Sequence, residues 1–128
     1  MKEFRLSFGV FKIVDNYIIS EVDAGVDYGE TCVQESIAFV KREFGDKPFG
    51  FISHRINDYS INPASARKGI KETNVVAVAF VLKRSLSFHS FESESAFYNI
   101  PQKVFKELEN AEEWMKKMLE ETQVTTSA

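Results

Sequence analysis

One cysteine, two histidines and one tryptophan stand among 128 residues, and each shortage removes a class of chemistry. Cys32 alone cannot close an intramolecular disulfide, so a small stapled scaffold is excluded. His54 and His89 are isolated, and Cys32 sits on the apolar stripe of a helix, so the sequence offers no metal-ligand set. The six glycines make no phosphate loop, because Gly25 and Gly29 flank aspartate and lack the lysine and hydroxyl that a nucleotide loop needs. No Gly-x-Ser-x-Gly elbow is present for a hydrolase. A secretory leader and an apolar run long enough to span a bilayer are both missing, which makes a reducing cytoplasm the expected home. A formal net charge of −3 gives no field that would gather nucleic acid or an anionic membrane surface. No cofactor is implied.

What the chain has in quantity is apolar and aromatic side chains. Twelve phenylalanines within a 44% hydrophobic composition describe one globular domain with an aromatic-heavy core. The runs Leu6 to Val14 and Tyr17 to Val22 are separated only by Asp15 and Asn16, which tolerate positive φ, so an antiparallel hairpin is predicted. Asp23 to Tyr28 then read as a turn. Tyr28, Cys32, Ile37, Val40 and Phe44 recur at helical spacing, with Gly45 as the stop, and predict a first helix.

Pro48 to Ile56 reads as a central strand and Asn57 to Asn62 as a turn. Asn62 is a natural N-cap with Pro63 at the first position of a short helix, Ala64 to Glu72. Asn74 to Leu82 is apolar without alternation, the pattern of a parallel strand covered on both faces. A crossover helix is expected within Lys83 to Tyr98, a short strand in Lys103 to Leu108, and a last helix opened by a capping box from Asn110 to Glu113. That helix is expected to bury Ala111, Trp114, Met115 and Met118. The expected fold is therefore a single-domain α/β sheet of about five strands in the order β-β-α-β-α-β-α-β-α, over residues 1–121, with a polar tail at 122–128 that frays.

The polar stretch after the central strand is the candidate working edge. A strand ending in a turn that feeds a helix N-terminus puts backbone N–H groups and polar side chains at the rim where α/β sheets usually bind. His54, Arg55, Asn57, Asp58, Tyr59 and Ser60 gather there, and Lys83 and Arg84 at the end of the next parallel strand would meet Arg55 to hold an anion. A hydrolytic triad of His54, Asp58 and Ser60 would need the three side chains to converge in space, and closeness in sequence is poor evidence for that. Phe88, Phe91, Phe97 and Tyr98, set among serines and glutamates, are either core or an exposed face on which a homodimer would form.

The closing words Val104-Phe-Lys-Glu-Leu-Glu-Asn-Ala-Glu-Glu-Trp-Met-Lys-Lys-Met118, together with the element order, resemble the SpoIIAA-like proteins of the STAS class. Those commonly end in a phenylalanine-bearing strand, a short acidic turn and an Ala-x-x-Trp helix. The resemblance implies a noncatalytic α/β module that regulates or binds another protein. It also implies a phosphorylated serine at the start of the helix after the central strand, within an Asp-Ser-Ser-Gly motif. The equivalent region here reads Asp58-Tyr-Ser-Ile-Asn-Pro-Ala-Ser65 without that motif, leaving Ser60 as the nearest positional match and Ser65 as the next. Relatives are also likened to the SEC14 lipid-carrier fold.

Three readings follow. The first is a protein-binding or regulatory module working through His54 to Ser60. The second is a small carrier holding a lipid-like or other apolar ligand between the sheet and Leu86 to Tyr98, which requires a cavity of several hundred Å³. The third, a hydrolase, comes last.

Overall fold

In the computed structural model, which describes residues 1–82 and 99–127, a six-stranded mixed sheet runs through the molecule. The expected hairpin is its seed. Asp15 takes the left-handed conformation at φ 52°, and β2 (Gly9–Val14) and β3 (Tyr17–Val22) pair antiparallel from Val14 and Tyr17 outward. Aspartate visits this region more readily than most residues because its short polar side chain bonds locally.

The first apolar run is not one strand. It breaks at Ser7 and Phe8, so β1 (Lys2–Leu6) folds back on β2 and adds an outer strand. Two groups fix the break. The Ser7 N–H and hydroxyl both donate to the Glu35 carboxylate, and Gly9 lies so close to β3 that a Cβ there would come within 2.4 Å of the Glu21 carbonyl oxygen.

Beyond the hairpin the sheet becomes parallel. β3 pairs with β5 (Phe49–Arg55), β5 with β7 (Val75–Leu82) and β7 with β8 (Gln102–Phe105), giving the order β1-β2-β3-β5-β7-β8. The turns read at Asp23 to Tyr28 and Asn57 to Asn62 contain two further short strands, β4 (Asp27–Tyr28) and β6 (Ser60–Ile61), paired parallel to each other. The strand count therefore exceeds the five expected. Alternation rules cannot detect a two-residue strand, which is too short to show a period.

The helices divide between the two faces. α1 (Glu30–Phe44) and α2 (Pro63–Lys71) cover one face over Phe11, Ile18, Phe49, Val78 and Phe80. Phe11 meets Phe39 and Phe51 edge to face, with centroids 5.3 and 5.8 Å apart, so the abundant phenylalanines are largely spent on this side. The α2 cap is as read: the Asn62 side chain accepts from the Ser65 N–H at 3.0 Å, with Pro63 opening the helix.

The other face belongs to α3 (Leu108–Ser127), which packs Ala111, Met115 and Leu119 over Tyr17, Ile19, Ile52, Ala77, Ala79 and Val81. Small residues let it come close, and a Cβ on Gly50 would lie 2.2 Å from Met115 Sδ. This helix begins at Leu108, so Asn110 lies within its first turn and does not cap it; it also runs past Glu121 to Ser127, further than the sequence reading took it. The crossover expected within Lys83 to Tyr98, with Lys83, Arg84 and the aromatics from Phe88 to Tyr98, lies outside the described residues. Among the described residues no helix is long and apolar enough to cross a membrane.

Candidate functional site

The parallel strands β3, β5 and β7 end together at Val22, Arg55 and Leu82, and two loops close over those ends. The loops are stapled to each other. Asn57 Nδ2 donates to the Val22 carbonyl at 3.0 Å, the Gly25 N–H to the Asp58 carbonyl at 2.8 Å, and the Ser60 N–H to the Val26 carbonyl at 3.0 Å. The Asn62 N–H donates to the Tyr28 carbonyl at 3.0 Å, and the Ser60 hydroxyl to Asp27 Oδ1 at 3.2 Å. The result is a ledge with exposed Ile56, Asn57, Asp58 and Ser60 on a fixed backbone.

Strand pleating separates the two residues that the sequence places side by side. Arg55 turns to the face of α1 and α2 and is 8% exposed. Its guanidinium lies over the rings of Phe80 and Tyr59, 5.2 and 5.7 Å from their centroids, and Nε donates to Ser53 Oγ at 3.0 Å. This is the environment arginine suits best, since its flat, weakly hydrated cation stacks on aromatic faces.

His54 turns the opposite way. Its Nδ1 lies 3.0 Å from Glu21 Oε2, and Lys12 Nζ lies 3.1 Å from the other oxygen of that carboxylate, forming a half-buried Lys12, Glu21, His54 chain on the α3 side of the sheet. Ser60 is engaged with Asp27, and Asp58 sits exposed on the ledge. The three groups of the hydrolytic reading thus have separate surroundings. Ser53 also lacks a base on the Arg55 side, because a guanidinium has no lone pair to take its proton.

Of the two candidate phosphorylation positions, Ser60 is exposed and Ser65 half-buried in the first turn of α2. Cys32 is half-buried in α1, and burial pushes its thiol above the ordinary range. Among the described residues no three His, Cys, Asp or Glu side chains gather as a metal would require.

Beneath the ledge, between the sheet and helices α1 and α2, is a cavity of about 90 Å³. Val33, Ile37, Ile70 and Phe51 make apolar walls, and Ser20, Ser53 and Tyr59 bring hydroxyls to them. The volume falls well short of the roughly 300–1,000 Å³ of a site for a drug-sized or lipid-like ligand. Ser20 and Ser53 were not singled out in the sequence. Their signal was a small polar residue closing the apolar run of each of two inner strands, Tyr17-Ile-Ile-Ser20 and Phe49-Gly-Phe-Ile-Ser53.

Set against known proteins, the chain matches no family model, no curated protein and no solved structure.

Proposed function

We propose that this chain is a noncatalytic regulatory or binding module of the SpoIIAA-like, STAS kind, which takes a protein partner on the ledge from Ile56 to Ser60. The observation that carries this reading is the stapling of the ledge. Five hydrogen bonds hold Asn57, Asp58, Ser60 and Asn62 against the β3–α1 loop, so the exposed polar surface needs no ordering when a partner arrives. An edge fixed at the carboxyl ends of parallel strands is where open α/β sheets present their binding groups.

The closing segment adds support from another part of the fold. Phe105 in β8 and Trp114 in α3, both words of the resemblance, pack with centroids 5.8 Å apart as one strand-to-helix unit. A cytoplasmic setting accords with this role.

Site-specific photo-crosslinking tests the reading. A photoreactive residue at Asn57 is expected to trap a discrete protein in cells, while the same residue at exposed Lys117 on α3 does not. Asp58→Lys is then expected to weaken binding of that purified protein. Equal trapping at both positions, or none at Asn57, would sink the proposal.

A further inference from the structure

The outer strand β1 pairs with β2 on one side and, among the described residues, has no strand on the other. Which of its groups lie open follows from the hairpin. The two-residue turn Ser7-Phe8 makes Leu6 and Gly9 a hydrogen-bonded pair, and alternation makes Phe4 and Phe11 the next, so the backbone N–H and C=O groups of Glu3 and Arg5 point away from β2. No described residue bonds to them. The row ends at Ser7, whose outward N–H is taken by Glu35.

An open edge of this kind is a template for another strand, and its charges decide which one. Glu3 is exposed, and the residue opposite it on β2, Lys12, turns its ammonium to Glu21. Arg5 is forked onto Asp23 through its two terminal nitrogens, yet its side chain is 61% exposed and Nε remains for a second carboxylate. An identical strand laid antiparallel on this edge, with a two-fold axis at Phe4, sets Glu3 of each copy opposite Arg5 of the other. These are also the residues whose outward groups face across the axis, so each pair exchanges its backbone hydrogen bonds in both directions. A register shifted by two residues places Glu3 on Glu3 or Arg5 on Arg5, and a parallel strand in register places like on like throughout. Only the register centred on Phe4 is attractive.

The helix beside the edge repeats the pattern. Glu35, Ala38 and Arg42 follow one another along α1, where with Phe4 and Leu6 they line an open groove of about 240 Å³. Ser7 bonds to Glu35 and Phe4 meets Phe39 edge to face, with centroids 5.1 Å apart, so α1 runs opposite to β1 and the same axis passes beside Ala38. It brings Glu35 of one copy toward Arg42 of the other, with the small, exposed Ala38 where the two helices come nearest.

From these observations we infer that the chain pairs with a second copy of itself through antiparallel β1 strands, joining the two sheets into one across a two-fold axis. The interface lies at the lateral edge of the sheet, apart from the ledge, and stands or falls separately from partner binding there.

Sedimentation of the full chain tests this. A dimer in reversible exchange with monomer is expected over about 1–100 μM. Glu3→Arg, at an exposed position, should weaken it about tenfold to a hundredfold, because both attractive pairs become repulsive. Arg5→Glu should do the same, and a mixture of the two variants should form a dimer of one chain of each, since every facing pair is again of opposite sign. In the wild type, amide exchange at Glu3 and Arg5 should slow as concentration rises, and Glu3→Arg should remove that dependence. The amide measurement stands even if Arg5→Glu, having lost its bond to Asp23, folds poorly. A chain that stays monomeric over the whole range, a dimer that Glu3→Arg leaves intact, a mixture of folded variants no more associated than its parts, or amide exchange that ignores concentration would each overturn the inference.

Discussion

The Tyr17 hydroxyl donates to Glu112 Oε1 at 2.7 Å, joining the first hairpin to the last helix across 95 positions of sequence. Tyr17 is fully buried, and burial, with the bond to Glu112 second, pushes its phenol well above the usual tyrosine range.

Stability should therefore fall with alkali in a specific window. Below about pH 10 the native and unfolded chains both hold the phenolic proton, and the Tyr17 contribution is complete. Above it the unfolded phenol ionises while the native one does not, so stability drops as pH rises toward the native value. Tyr17→Phe is expected to cost about 1–2 kcal/mol at pH 7 through the lost bond. Its denaturant midpoint should then decline less steeply than the wild type's above pH 10. Parallel slopes would show that Tyr17 does not titrate as described.

Gly50 lies against Met115, and an added Cβ would sit 2.2 Å from Sδ and 2.8 Å from Cγ. Gly50→Ala should destabilise by about 1–3 kcal/mol, because Met115 is fully buried and has little room to retreat. Met115→Ala alone leaves a void and should cost about 2–5 kcal/mol. The double variant should be more stable than the sum of the two losses implies, since each change relieves the other. Strict additivity in chemical denaturation would contradict the contact.

The Asn62 cap is worth about 1 kcal/mol, so Asn62→Ala should lower stability by that amount and Asn62→Ser by much less. Urea unfolding of the two variants checks it. Equal losses would mean that the side-chain oxygen is not what matters.

Cys32 should react slowly with Ellman's reagent at neutral pH, because its raised thiol supplies little thiolate. The rate should go on rising with pH beyond the point where a free cysteine levels off, about pH 8.5. A rate matching free cysteine across the range would place the thiol in an ordinary environment.

The sequence conveyed the elements whose signals are local. Asp15 and Asn16 marked the hairpin, Asn62 and Pro63 marked the start of α2, and the unbroken apolar run to Leu82 marked an inner parallel strand. It misled where a tertiary contact overrides the pattern. Leu6 to Val14 reads as one strand, and only the Glu35 carboxylate on Ser7 and the close approach at Gly9 explain the fold-back.

For the site, the position of the rim was legible and its wiring was not. His54 and Arg55 are neighbours in sequence that pleating sends to opposite faces, one toward Glu21 and the other over Phe80. Ser20 and Ser53 lie 33 positions apart and share a cavity only because β3 and β5 pair in register.

The small residues beneath α3 bear on how the protein is made at the ribosome. Ala77, Ala79 and Gly50 form a shallow bed that, among the described residues, this helix fills. While residues 108–127 are still in the exit tunnel, Tyr17, Ile19, Ile52 and Val81 lack the cover that Ala111, Met115 and Leu119 give them. The nascent chain can settle its hairpin and its α1 and α2 layer early, yet it stays adhesive to other apolar surfaces until the last helix emerges. Docking of α3 is then a late step of folding, and a holding chaperone would find its target before it.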